Sequence, residues 1–240
     1  MKVLFCLIIC FCLANSLAAQ TAYNVVSTPS GLQYGNPSAL GEKNADSVEY
    51  ADFKGSAFWK EEWMPAVFIL TGGGAVKVEK ARLNLYTNDV HYVNPGGQQL
   101  VAATGNVNKI YFLGTGDDTG HVKAVFERFA DVKSKYNAIE SPFCQVLNSG
   151  KVQLLKQISV TLDKKMDLSV GKEQYSFQQT EDYYLLKDAI FFQVKKLNKE
   201  NVMAFVIPDA ETDNWLQTNK NKLKSEKEVL AFLAFYNKAR

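Results

Sequence analysis

Histidine and cysteine are scarce in this chain, with two and four residues respectively among 240. Metal clusters and Cys–His nucleophile pairs draw on those side chains, so few such sites can be assembled. An excess of charge of either sign is also missing. Lys and Arg number 27 against 25 Asp and Glu, a formal net charge of +2, which excludes a broad electrostatic footprint for nucleic acid or an anionic membrane. No unbroken apolar run approaches the ~20 residues of a spanning helix. What is present is a hydrophobic fraction of 47% with 12% aromatics, enough to bury a core and to exclude a wholly disordered chain.

The first residues read as an address. Lys2 precedes an apolar run from Val3 to Leu13, and Ala14-Asn15-Ser16-Leu17-Ala18-Ala19 then turns to small residues, the grammar of a secretory signal peptide. Cleavage is expected after Ala18 or Ala19. Cys6, Cys10 and Cys12 would leave with it, so Cys144 becomes the one mature thiol and no internal disulfide supports the exported fold. Neither Cys10 nor Cys12 follows a small residue, which argues against a lipid anchor. The final location is expected to be periplasmic, outer-membrane-associated or extracellular, with no transmembrane segment in the mature chain.

Residues 20–55 form an irregular polar leader. Pro29, Gly31, Gly35, Pro37 and Gly41 punctuate it, leaving room only for short strands near Asn24–Ser27 and Ser47–Phe53. From Pro65 the pattern becomes β. Ala66–Leu70, a Thr71–Gly74 turn and Ala75–Glu79 predict a first hairpin. Arg82–Tyr86, Val90–Val93, Leu100–Ala103 and Lys109–Leu113 follow at the turn spacing of an antiparallel meander. Phe143–Leu147, an Asn148-Ser149-Gly150 turn and Lys151–Val160 make the clearest hairpin. Charged Lys164–Lys172 reads as a loop before strands at Tyr175–Phe177, Asp182–Leu186 and Ala189–Val194, the last two joined by a tight turn at Lys187-Asp188.

Residues 208–240 change period. Asp209 suits the N-cap of a short helix through Leu216. Ser225 and Glu228 form a capping box opening Val229-Leu230-x-Phe232-Leu233-x-x-Tyr236, one face of an α-helix. The fold class expected is therefore mainly β. An antiparallel meander, sandwich or open barrel over residues 56–207 is closed by a C-terminal helical pair (α+β). An outer-membrane barrel is disfavoured, because the strands read short and the chain ends in helices.

Several stretches carry a resemblance. Gly55-Ser56-Ala57-Phe58 through Glu62-Trp63, Leu83-Asn84-Leu85-Tyr86-x-Asn88-Asp89, Phe143–Leu147 with Gly150–Lys156, Tyr183-Tyr184-Leu185, and Asn219–Lys224 to Phe235-Tyr236-Asn237 resemble a broad, largely uncharacterised group of exported bacterial envelope proteins. The likeness spans residues 55–240 and implies an exported β-rich body with two terminal helices. It brings no catalytic set with it.

Candidate chemistry is sparse. Cys144 sits in an alternating apolar run, where a packing role is favoured over a nucleophile. His91 stands between Val90 and Tyr92. Asp117, Asp118 and His121 are the densest polar constellation and the candidate metal set, yet EF-hand spacing is absent and zinc needs further ligands; a solvated loop is the competing reading. Thr71–Gly74 lacks the Lys-Ser/Thr of a phosphate loop. Lys220, Lys222, Lys224 and Lys227 interleave with Asn, Ser and Glu226, with Glu228 close behind, and read as a solvated connection rather than a basic patch. Trp59 and Trp63 are the candidate ligand-binding aromatics, against the simpler role of locking the leader onto the sheet.

The sequence thus points to a soluble exported envelope protein, a non-enzymatic binding or structural module whose partner is an envelope protein, a glycan or an apolar ligand. No catalytic residues and no cofactor are assigned. A hydrolase or metal-dependent enzyme using Asp117, Asp118 and His121, or a carrier of a lipid or other apolar ligand, are the alternatives.

Overall fold

A computed structural model describes residues 32–40, 50, 53–132, 141–167 and 171–238. The expected signal peptide with its expected cleavage site and the strand expected at Asn24–Ser27 lie outside the described residues, as does most of Ser47–Phe53.

Among the described residues, eleven strands form one sheet. Its spatial order is β11 (Ile190–Val194), β10 (Lys172–Lys187), β9 (Val152–Asp167), β8 (Phe143–Val146), β7 (Val122–Arg128), β6 (Val107–Leu113), β2 (Met64–Leu70), β3 (Ala75–Asn84), β4 (Asp89–Val93) and β5 (Gln99–Val101). All neighbours along this path are antiparallel. A short β1 (Tyr34–Gly35) adds in parallel to the start of β3. The meander expected from the turn spacing is present, and the sheet stays open: β5 and β11 end it without pairing to each other.

Side-chain alternation assigns two faces. Ala66, Phe68, Val76, Ile110, Phe112, Ala124 and Phe126 point into the main core, which continues along β9 and β10 as Val160 and Phe177. The intervening residues, Val67, Tyr111, Val125, Cys144 and Leu155 among them, form a smaller core on the opposite face. Leu154 of β9 shares the parity of Val160, so the helices that pack on Leu154 and Leu185 cover the far end of the main-core face. One fully buried Phe on such a face contributes roughly 1.5–3 kcal/mol.

Three expectations need correction. Lys164–Lys172 is not simply a loop. β9 runs to Asp167 and β10 starts at Lys172, giving two sixteen-residue strands in continuous register. Cross-strand pairs explain why charge does not break the ladder: Lys164 Nζ lies 2.6 Å from Glu173 on the neighbouring strand, an opposite-charge pair that supports a sheet. These strands are also longer than the sequence suggested, so short strands no longer separate this sheet from a barrel; its open ends do. The β pattern, finally, does not hold to residue 207: the expected pair over 208–240 is present, and a short helix precedes it. α1 (Lys199–Met203), capped by Asn198, precedes α2 (Ala210–Thr218) and α3 (Glu226–Lys238).

The two anticipated caps are in place. Asp209 and Thr212 form a reciprocal capping box on α2. Ser225 accepts from Glu228 N at 3.3 Å, while the Glu228 carboxylate takes the Lys224 N–H rather than that of Ser225. α3 is fixed to the sheet at both ends. Near its start, Glu226 lies 2.7 Å from Lys156 Nζ of β9. Near its end, the Asn237 amide accepts from Val152 N at 3.0 Å and donates to Val152 O at 2.9 Å, pairing with a strand backbone as another strand would. Gly150 is required beside it, because a Cβ there would stand 2.5 Å from the Asn237 amide. No helix among the described residues is long and apolar enough to cross a membrane.

Candidate functional site

An open sheet leaves edges, and the chain covers one of them with its own backbone. β11 pairs only Tyr183–Lys187 of β10, so the first half of β10 has a free side. The segment from Phe53 to Trp59 lies there. Lys54 bridges Ser176 in parallel, donating from its N–H to Tyr175 O at 3.0 Å and accepting from Phe177 N at 2.8 Å. A few residues on, the same segment meets the end of β3. Trp59 N donates to Leu83 O at 3.0 Å and Leu85 N to Ala57 O at 2.7 Å. Residues 54–59 therefore link two strands far apart in the sheet order.

Local chemistry dictates this path. Gly55 takes φ +79°, and a Cβ there would stand 2.7 Å from Phe177 O, so glycine alone permits the approach. Ser56 then turns the chain: its hydroxyl accepts from Phe58 N at 2.9 Å and donates to the Glu61 carboxylate. Aromatic rings fill the seam below. Phe53 stacks on Tyr175 at 4.9 Å, and Tyr50 and Tyr86 approach Phe177 at 5.0 and 5.4 Å.

Beside this seam is a cleft of about 330 Å³ lined by Lys54, Gly55, Lys165, Gln174, Tyr175, Ser176, Phe177 and Gln178. Its lining is largely polar: two ammonium groups, two amides, a hydroxyl and a phenol. Lys54 Nζ donates to Gln174 Oε1 at 3.2 Å, and Lys165 lies 3.0 Å from Asp163. Tyr175 donates to Glu173 at 2.6 Å, and that hydrogen bond raises the phenol above its usual range. Hydrogen bonding to Lys164 lowers Glu173 in turn, and Glu173 raises Lys164. The phenol thus stays a neutral donor and ring surface. Such a set can hold hydroxyls and anionic oxygens.

The residues singled out from sequence lie elsewhere. Trp59 is half-buried in the main core, 5.1 Å from both Phe112 and Phe126, and it locks the segment down. Trp63 and Phe58 enclose the Arg82 guanidinium at 4.0 and 4.2 Å. Arg82 Nε is buried without a hydrogen-bond partner among the described residues, and burial lowers the group's pKa. His91, opposite Arg82 in register, packs edge-on against Phe58 at 5.3 Å. Burial, and then the Arg82 charge, lower its pKa.

Asp117, Asp118 and His121 are all exposed, around a 3-10 turn at Gly116–Asp118. Lys123 holds Asp118 at 2.5 Å and lowers its pKa through that hydrogen bond. No group of three His, Cys, Asp or Glu side chains able to hold a metal forms among the described residues. Cys144 is fully buried, and burial pushes its thiol up to about 12, the reverse of nucleophile activation. Its register partner on β7 is Glu127, six residues or roughly 20 Å of strand from His121.

One constellation escaped the sequence reading. Lys156 of β9 lies between Glu226 at 2.7 Å and Glu181 at 3.6 Å, and the Tyr183 hydroxyl lies 3.0 Å from each carboxylate. Burial and both carboxylates push the Tyr183 phenol well above its usual range. Charges paired this way, beside a phenol kept neutral, fasten α3 rather than supply a base. Only the period-2 spacing of Glu181 and Tyr183 marked it in advance.

Fold and cleft together define a mainly β protein of α+β class with a polar groove where its N-terminal segment seals a strand edge. No family model, curated protein or solved structure matches the chain.

Proposed function

We propose that the protein is an exported, non-enzymatic binding module of the bacterial envelope, and that its ligand is a polar, hydroxyl-rich and acidic glycan seated in the Lys54–Lys165 cleft. The observation that carries this reading is the cleft's composition. Two lysines, two glutamines, a serine and a tyrosine line it, hydrogen-bonding groups suited to sugar hydroxyls and carboxylates. Export rests on the Lys2 to Ala19 sequence pattern, and the envelope setting on the resemblance described above. A binding role is favoured over catalysis because Cys144, buried with a raised thiol, and His121, exposed on a loop, are set up for neither nucleophile nor base.

The test is calorimetric and NMR titration of the mature protein with oligosaccharide fragments of bacterial envelope polymers, acidic and neutral. Saturable binding of acidic fragments, with shifts at Gln174, Ser176 and Gln178, is expected. The double variant Lys54→Ala, Lys165→Ala should lose it while melting like the parent. Binding that survives this variant, or no binding at millimolar fragment, would refute the assignment.

A further inference from the structure

The register sets the side chains of the proposed glycan cleft in rows. Lys54 bridges Ser176 in parallel, and Ser176 pairs with Asp163 of β9. Partners in a row share one face of a sheet, so Lys54, Ser176 and Asp163 stand side by side across three stretches of backbone. At about 4.8 Å per strand, the backbones of Lys54 and Asp163 are ~10 Å apart. Alternation puts Gln174 and Gln178 on the same face, two residues to either side of Ser176, with Lys165 opposite Gln174. Ser176 is the short side chain at the centre, its hydroxyl accepting from the Gln178 amide at 3.2 Å. Charge is spread unevenly around it. On β9 the Lys165 ammonium is already held by Asp163 at 3.0 Å. Lys54 instead donates to a neutral oxygen, Gln174 Oε1, at 3.2 Å, and no carboxylate among the described residues forms an ion pair with it. The covering segment therefore brings to the cleft a positive charge that no acid holds.

We propose that Lys54 is the specificity-determining residue of the cleft: it takes one carboxylate of the glycan, while the Lys165–Asp163 pair takes sugar hydroxyls. The assignment rests on the cleft being the glycan site, as proposed above. An ammonium bonded to an amide exchanges that bond for a charge-assisted one without breaking an ion pair. Lys165 would first have to give up Asp163. That pair is suited to the uncharged part of a sugar. The Asp163 carboxylate, 38% exposed, accepts from hydroxyls, and Lys165 has further N–H donors for hydroxyl oxygens. The ligand is thereby oriented, its acid toward the N-terminal segment and its hydroxyls toward β9. A second carboxylate at the β9 end would meet Asp163 as a like charge.

Calorimetric titration of the mature protein at low ionic strength, with a disaccharide carrying one uronic carboxylate and with its methyl ester, separates charge from shape. The parent should bind the acid about fivefold more tightly than the ester, a preference that shrinks as salt is added. Lys54→Gln should bring the two affinities level by weakening the acid alone. Removing the pair together, Asp163→Asn with Lys165→Gln, should keep the parent's preference. Adding Asp163→Asn to Lys54→Gln frees the Lys165 ammonium and should restore a preference for the acid. Thermal melts like the parent's show that each variant is folded. If neither sugar binds the parent at millimolar concentration, the cleft is not a glycan site and the assignment falls with that reading. If the parent prefers the acid and Lys54→Gln keeps that preference, the cleft stands and the assignment to Lys54 is overturned. Acid and ester binding the parent equally overturns it too, and no recovery on adding Asp163→Asn overturns the role given to the pair.

Discussion

Replacing Gly55 by alanine tests whether the segment 53–59 seals β10 as a close backbone contact. Two costs are expected. The backbone at φ +79° disfavours any Cβ, by roughly 1–2 kcal/mol. The added methyl would also stand 2.7 Å from Phe177 O, with Phe177 C and Cβ at 3.5 Å. Phe177 is held in β10 by its pairing with Leu162, so the segment must retreat by several tenths of an ångström instead. That retreat weakens the hydrogen bonds from Lys54 N to Tyr175 O and from Phe177 N to Lys54 O, each contributing about 0.5–1.5 kcal/mol net. The total is about 2–5 kcal/mol, a large share of a domain's typical stability of roughly 5–15 kcal/mol. Gly74→Ala is the matched control, because Gly74 has φ +82° with nothing within 4 Å of its would-be Cβ. It should show the conformational cost alone. Urea unfolding of both variants measures the difference, and hydrogen exchange at Phe177 locates it. If Gly55→Ala destabilises no more than Gly74→Ala, the close approach carries no energy and the seal, with the cleft beside it, is misassigned.

Two further outcomes follow from buried groups. Arg128 donates to Val107 O, Ser141 O and Asn88 O at 3.2, 2.9 and 3.0 Å with its guanidinium 4.0 Å from Phe143; Arg128→Ala strips all three carbonyls and should cost about 3–6 kcal/mol, Arg128→Lys recovering at most one contact, as chemical denaturation would measure, and a loss below about 1 kcal/mol would contradict it. Cys144 keeps its proton in the folded state to about pH 12 against a reference value of 9.0; its contribution is complete below pH 9 and lost as pH rises toward 12, about 4 kcal/mol in all, so urea stability of the parent should fall with a slope about one proton steeper than that of Cys144→Val over that window, and parallel slopes would refute the burial.

Legibility followed the range of the interactions. Ala66–Glu79 and Phe143–Val160 were readable as hairpins because alternation and a turn lie within one window, and Asp209 and Ser225 because a cap acts over three residues. β7 (Val122–Arg128) was missed although its alternation is plain in Val122, Ala124 and Phe126, because the polar loop before it drew the reading. β9 and β10 were cut short because Lys164 and Glu173 look like loop charges until their cross-strand pairing is seen. α1 is a single capped turn with too few apolar positions for a period. The cleft was the least legible feature. It exists because Lys54 and Ser176 meet, and neither residue has a partner in its own neighbourhood that announces the pairing. The aromatics that looked like contacts, Trp59 and Trp63, were noticed because tryptophan is rare, and both are spent on packing.

The proposed binding cleft has its origin in the open sheet. An antiparallel sheet that does not close must dispose of the unpaired N–H and C=O groups at its ends. Along the first half of β10 the chain does this itself. The price is a glycine forced against a strand carbonyl, and the return is a groove whose polar walls come from both the covering segment and the covered strand. At β11 the backbone groups of Phe191 and Gln193 take no other backbone partner among the described residues, and the strand carries no charge of its own. The two halves of β10 thus meet different neighbours: segment 53–56 lies against Tyr175–Phe177, while β11 begins its pairing at Tyr183, so the groove belongs to the half that the hairpin leaves uncovered.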